Sequence, residues 1–293
     1  MVVGLVGCGQ WGVNILRDLR ALECEVRVVA RSDATVARAR EGGAAAVVRE
    51  IGELGVVDGI VVCTPIATHA AVIEQALAAE VPVFTEKPLC NDIGDAARLA
   101  SLAPDRLFVM DKWRYHAGVA VLAAIAADGR LGRVHGLRTI RVQPDNRHVE
   151  DAVWVLAPHD LAIALEVLGE LPRARAASAH WAGDRLVTLH AMLETARSWH
   201  VCEISERAPR VERRIELHFD EGLAVLGGGW DEHVLVHRLD GRTETLDARG
   251  ELPLLAELRA FAKFLDGGPP PKSSAAEGAA AVQAIAALRA LAA

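Results

Sequence analysis

Residues 2–12 read Val-Val-Gly-Leu-Val-Gly-Cys-Gly-Gln-Trp-Gly, and no other stretch constrains the fold as much. Its first five, mostly apolar residues read as a buried parallel strand. Gly7, Gly9 and Gly12 then give the spacing G-x-G-x-x-G, and a helical pattern follows over residues 13–22. Gly7 permits the tight turn out of the strand. Gly9 lets a pyrophosphate approach a backbone that carries no Cβ, and Gly12 lets the helix pack close to the sheet. The helix N-terminus offers free N–H groups and a partial positive charge to the phosphates. Glycines mark many turns, but a strand before and a helix after is the context that makes this spacing a dinucleotide site.

The next hundred residues continue the alternation. Strands are predicted at residues 25–30, 44–48, 59–63, 81–85 and 107–110. Helices are predicted at 33–41, 67–79 and 92–102, the last capped by Asn91. Alternating strands and helices form an α/β doubly wound parallel sheet. The pattern then changes. A helix at 118–127, a long strand at 134–142 and a polar stretch at 143–150 lead to a helix from Pro158 to 168. Proline suits a first helical turn, where its missing N–H is unneeded. Strands run from 173 to 238 without helices between them and form a mainly antiparallel sheet. Helices at 254–265 and 274–291 follow. The division is residues 1–115 for a dinucleotide-binding domain and 116–293 for a substrate-binding and oligomerisation domain, with the last helices free to pack back on the first.

Composition excludes other classes. Hydrophobic residues make up 52% of the 293 and charged residues 24%, which is a globular balance. A net charge of −7 argues against nucleic acid as a partner, since that affinity comes from cationic contacts to phosphate. The basic stretch 207–214 is interrupted by acids and reads as a solvated strand face. Five cysteines without a C-x-x-C pair read as small buried hydrophobes in a reducing cytoplasm. Neither a signal peptide nor a membrane-spanning run is expected. No histidine–carboxylate spacing suggests a metal.

Three groups of residues can carry chemistry. Glu86-Lys87-Pro88 follows a predicted strand, and ligands on open α/β sheets bind beyond the carboxyl ends of strands. Lys87 can donate to a substrate oxygen, Glu86 can orient it, and Pro88 fixes the turn. His159-Asp160 offers a histidine whose pKa lies near neutrality, set against the alternative of a satisfied structural histidine. His69, beyond Thr64-Pro65, is a similar case, while His116, His148 and His180 fall in no pattern.

Taken in order, Gly7-Cys-Gly-Gln-Trp-Gly12, Thr64-Pro65 with His69, Glu86-Lys87-Pro88, residues 154–160 and Glu257-Leu-Arg-Ala-Phe to Gly267 resemble the Gfo/Idh/MocA family. The likeness is strongest to its branch of nucleotide-sugar 3-dehydrogenases, at Gly-Cys-Gly-x-Trp-Gly and Ala157-Pro-His-Asp-Leu161. The resemblance implies an N-terminal Rossmann domain and a C-terminal α/β domain with an open antiparallel sheet. It implies NAD(P) and hydride transfer between an alcohol and a ketone on a sugar, nucleotide sugar or cyclitol. Lys87 and His159 match the family's catalytic lysine and histidine. Gly7, Gly9, Gln10, Trp11, Gly12, Arg31, Ser32, Thr64, Pro65, His69, Glu86 and Lys87 are the candidate cofactor contacts. Lys87, Arg114, Trp154, His159 and Asp160 are the candidate substrate contacts.

Three departures from that family carry consequences. Val155 stands where an acid usually precedes the histidine by four residues, so a proton relay is shortened or moved. Arg31-Ser32 stands where an acid usually meets the ribose. An arginine and a hydroxyl suit a 2′-phosphate, which favours NADP over NAD, with Asp33 as the residue that would instead take the ribose. The C-terminal part is short for the family. The expected activity is an NAD(P)-dependent oxidoreductase on a small sugar-like substrate. The alternatives are a cyclitol or imine reductase and a non-catalytic dinucleotide-binding sensor. Leu189, Met192, Leu193 and Trp199 supply more apolar surface than one sheet face needs, which predicts a homodimer or homotetramer joined through the sheet.

Overall fold

A computed structural model describes residues 1–144 and 149–293, so His148 and part of the polar stretch lie outside the described residues. The chain forms two compact units. One comprises Met1–Lys112 with Leu252–Val282, the other Trp113–Glu251 with Gln283–Ala293.

The first unit alternates β1 (Val2–Val6), α1 (Gly12–Ala21), β2 (Glu25–Val29), α2 (Asp33–Glu41), β3 (Ala46–Val48), β4 (Gly59–Val62), α3 (His69–Leu77), β5 (Val83–Glu86), α4 (Ile93–Leu102) and β6 (Leu107–Met110). The strands pair in parallel in the order β3-β2-β1-β4-β5-β6. The order reverses between β1 and β4, the point where ligands bind beyond strand ends in such sheets. Every residue of β4 and of β6 is buried, as expected for strands covered on both faces. Two predicted boundaries shift. Residues 66–68 form a 3₁₀ turn, so α3 starts at His69. Asp92, not Asn91, caps α4, its carboxylate accepting from the Asp95 N–H at 2.9 Å.

The second unit contains α5 (Ala117–Asp128), β7 (Val134–Val142), α6 (Ala152–Leu168), β8 (Arg173–Ala182), β9 (Arg185–Glu194), β10 (Trp199–Ser205), β11 (Glu212–Phe219), β12 (Gly222–Leu226), β13 (His233–Arg238) and β14 (Thr243–Asp247). Its eight strands run β14-β13-β12-β11-β7-β10-β9-β8. The β7–β10 pair is parallel and the others are antiparallel. Helices α5 and α6 cover one face. Alternation along β9 sends Leu189, Ala191 and Leu193 to that covered face and leaves Met192 46% exposed. Leu189 and Leu193 are therefore core, and the open face carries Met192, Val201 and half-buried Trp199 among its apolar residues.

Helix α6 starts well before Pro158, which lies inside it, buried. An interior proline gives up one helical hydrogen bond. Here the helix is buried along most of its length, and packing outweighs that loss. No helix among the described residues is long and apolar enough to cross a membrane.

Two last helices close the chain, α7 (Pro253–Leu265) and α8 (Ala275–Leu291). Helix α7 packs in the first unit, where Phe261 stacks on Phe84 with ring centroids 5.0 Å apart. One turn earlier it buries Glu257, whose two carboxyl oxygens have no hydrogen-bond partner among the described residues. Burial, and then the nearby charge of Glu86, hold this carboxyl well above the usual carboxylate range. An acid whose pKa rises on folding costs nothing below its unfolded pKa, where both states are protonated. Above that value the unfolded chain ionises and the folded one does not, so stability falls as pH rises. Glu257→Gln, neutral at every pH, should match the wild type near pH 4 and exceed it increasingly toward pH 8. Urea midpoints across that range test this; a constant difference between the two proteins would refute it.

Candidate functional site

The loop after β1 has the geometry that its glycines require. Gly7 has φ +97°, and a Cβ there would lie 2.3 Å from the Cys63 carbonyl oxygen, so no other residue fits the turn. A Cβ on Gly12 would lie 2.5 Å from the Gly7 carbonyl oxygen. A Cβ on Gly9 would meet nothing within 4 Å. Open space thus faces Gly9 while Gly7 and Gly12 are packed tight. Trp11, at the N-cap of α1, makes no side-chain cap bond, and the first turn carries no acid. The helix dipole is left for an anion, and the residues present fit a dinucleotide pyrophosphate.

Side chains from other strand ends gather at this loop. The Trp11 indole N–H donates to Glu86 Oε1. Lys112, just beyond β6, places Nζ 4.1 Å from the centre of the Trp11 ring. Glu86 Oε2 accepts from the Lys87 backbone N–H at 3.0 Å, so Glu86 fixes the backbone of Lys87. Lys87 is half-buried beyond the end of β5, and Thr64 packs against Gly7. Gln10 and Pro65 are exposed.

His69 is a different kind of residue from the cofactor contact expected. It is 1% exposed, with Nδ1 2.9 Å from the Pro88 carbonyl oxygen and Nε2 2.8 Å from that of Thr64. Burial lowers its pKa, and the two carbonyls oppose that shift. Its role is to brace the loop after β4 against the loop after β5. Burial raises the thiol pKa of Cys8 and Cys63, which keeps them protonated and inert.

At the end of β2, Arg31 pairs with Glu50 at 3.1 Å on the surface. Ser32 caps α2, its Oγ accepting from the Thr35 N–H at 3.3 Å. Arg49 donates to the Arg31 carbonyl and lies 3.6 Å from Asp33. Sequence reasoning missed Arg49 and Glu50, because nothing local links the residues after β3 to those after β2.

In the second unit, residues 154–160 lie on one helix. Val155 and His159 are four apart on α6, hence on one face, with Val155 buried and His159 half-buried. Trp154 is half-buried in the first turn. Two expected substrate contacts are spoken for. Asp160 is 1% exposed and accepts from Arg141 Nε at 3.0 Å. Arg114 donates through Nε to Glu166 at 3.0 Å, two turns beyond His159 on the same helix. Sequence reasoning also missed Arg141, which the strand parity of β7 aims at the helix-covered face with Leu137 and Thr139.

Known proteins can now be set beside this geometry. Residues 1–109 match the model of the Gfo/Idh/MocA oxidoreductase family, NAD-binding Rossmann fold. An inositol 2-dehydrogenase of Gluconacetobacter diazotrophicus is 31% identical over 177 residues, 55% of this chain and 52% of that one, so the match spans about half the relative's length. The UDP-N-acetylglucosamine 3-dehydrogenase GnnA of Acidithiobacillus ferrooxidans superposes with a TM-score of 0.88 at 22% identity, covering 100% of this chain and 97% of that one. A levoglucosan dehydrogenase, solved with NADH and levoglucosan, superposes with a TM-score of 0.90 at 18% identity, with coverage of 100% and 97%. The glycine loop and the strand order agree with that match, and residues 1–109 are similar to the NAD-binding Rossmann fold of the Gfo/Idh/MocA oxidoreductase family.

Proposed function

We propose that the protein is an NAD(P)-dependent oxidoreductase that interconverts an alcohol and a ketone on a carbohydrate-like substrate. The observation that carries this is the bond from Trp11 to Glu86, which ties the glycine loop to the backbone of Lys87. The substrates in the names of the relatives, an inositol, a nucleotide sugar and an anhydrosugar, are all polyhydroxylated rings.

A bound nicotinamide dinucleotide supplies or accepts the hydride. Gly7, Gly9, Trp11 and Gly12 would hold its pyrophosphate. Lys87 donates to the substrate oxygen, where negative charge develops as a ketone is reduced. His159 gives or takes the proton. Val155, one turn away, cannot exchange a proton, so a relay runs through Lys87 and His159 or through water. Val155 also favours a second reading, a non-catalytic dinucleotide-binding sensor. Turnover of either cofactor with a panel of keto sugars, cyclitols and nucleotide sugars separates the two. In that assay Lys87→Ala should lower kcat by on the order of 10²–10⁴ while cofactor affinity stays within about twofold. A wild-type rate from Lys87→Ala would make the lysine structural.

The cofactor reading favours NADP. The Arg31–Glu50 pair is 69% and 63% exposed, and such pairs contribute about 0–1 kcal/mol, so Arg31 can turn to a 2′-phosphate at little cost. Ser32 adds a hydroxyl and Arg49 a second cation nearby. Arg31→Ala should weaken NADP roughly tenfold and leave NAD unchanged, as titration by fluorescence would show. Tighter binding of NAD than NADP by the wild type would overturn this reading.

The assembly reading is a homodimer or homotetramer joined through the open face of the eight-stranded sheet. It rests on Met192 and Val201, 46% and 39% exposed on neighbouring strands, with Trp199 beside them. Light scattering at micromolar concentration should give a multiple of 31.3 kDa, and Met192→Glu should shift it toward that value. A wild-type monomer would sink the assignment.

A further inference from the structure

Two arginines face each other in the second unit. Arg213 of β11 is the direct cross-strand partner of Arg141 of β7 in an antiparallel pair. Both lie on the helix-covered face, Arg141 in line with Leu137 and Thr139, Arg213 in line with Ile215 and Leu217. Arg213 is therefore not part of the solvated strand face expected for residues 207–214. Like charges directly opposite on one sheet face are destabilising.

The surroundings do not neutralise the pair. Asp160 bonds Arg141 at 3.0 Å, with both side chains almost fully buried at 3% and 2% exposure. His200, buried beside Thr139, is driven down to about 3 by burial and carries no charge. Burial also raises the neighbouring Cys202 thiol and keeps it neutral. Arg213 has no ion pair among the described residues. Burial and then the charge of Arg141 lower its pKa to about 10, the mark of a cation short of a counter-charge. One carboxylate thus serves two guanidinium groups.

The Arg213 guanidinium is also set in place. Nη1 donates to the Val142 carbonyl at 2.7 Å and the Glu212 carbonyl at 2.9 Å, and Nη2 donates to Gln143 Oε1. A guanidinium has five N–H donors. The Nε–H and one Nη2–H remain uncommitted among the described residues, and Arg213 is half-buried, so they can reach a ligand. Two donors on a positioned fork match a carboxylate or phosphate bidentately. Nearby, Arg141 places its guanidinium carbon 4.4 Å from the centre of the Trp113 ring.

We propose that Arg213, held by Gln143 and backed by Arg141, recognises an anionic group of the substrate, a carboxylate or a phosphate, so that the chain acts on an acidic sugar derivative and not on a neutral polyol. This rests on the carbohydrate oxidoreductase reading above and narrows its substrate class. The cost of two facing arginines is met when the anion binds, and a neutral ring would leave the second one uncompensated.

The test is calorimetric titration of the full chain, saturated with the nicotinamide cofactor it binds more tightly. The probes are D-glucuronate, D-glucose 6-phosphate and D-glucose at equal ionic strength. At least one charged probe should bind tenfold or more tighter than glucose, and which one does so separates carboxylate from phosphate. Arg213→Gln should abolish that preference. Arg213→Lys, which keeps the charge and the fold but loses the fork, should retain only part of it. Equal affinity for all three probes, or a preference unchanged in either variant, overturns the proposal. Binding is read without turnover, so the two readings fail separately. A chain that binds glucuronate but oxidises nothing keeps this site and loses the catalytic reading. One that turns over neutral sugars and ignores both acids does the reverse.

Discussion

The candidate dinucleotide site is tied together by a hydrogen bond from the Trp11 indole to Glu86. It joins the turn after β1 to the end of β5, elements 75 residues apart in sequence. Glu86 spends its other oxygen on the Lys87 N–H, so the same carboxylate that anchors the glycine loop sets the backbone of the candidate catalytic lysine. His69 braces the loop after β4 against the loop after β5 through the Thr64 and Pro88 carbonyls. The glycine loop and the candidate proton donor are thereby built on one framework. A shift of one moves the other, and placement to within about an ångström is what separates effective from ineffective catalytic groups.

The fold of the first unit was legible because parallel strands declare themselves as short apolar runs between helices, and because G-x-G-x-x-G has a mechanical meaning at each glycine. The second sheet was legible as a class from consecutive strands. Its registers were not, and a one-residue difference in parity decides which side chains are core. Leu189 and Leu193 were counted as open-face surface for that reason, and Arg213 was read as solvated. Pro158 misled differently. Local chemistry favours proline at a helix start, but burial of α6 on nearly every side overrides a local preference worth about 3 kcal/mol.

The site residues divide in the same way. Those whose role depends on backbone, Gly7, Gly9 and Gly12, stand where the pattern put them. Those whose role depends on a long-range partner changed character. Asp160 and Arg114 are candidate substrate contacts by sequence, yet each is held by a charge remote in sequence, Arg141 and Glu166. No local pattern carries such partners, and for the same reason Arg49 and Lys112 went unnoticed.

Buried charge in the second unit bears on how much stability the site consumes. An ion pair such as Arg141–Asp160 rarely gains much over apolar residues of the same volume, because both ions lose their water. Removing one partner is far worse, since it strands the other. Asp160 is thus better understood as the group that permits Arg141 to be buried, and Arg141 in turn sets the field at Arg213. A helix carrying His159 and Asp160 in succession therefore does two jobs from adjacent positions. One side chain stays half-buried at the position of the candidate proton exchanger, and its neighbour is sealed in to hold a cation beneath the sheet-facing side of the same helix.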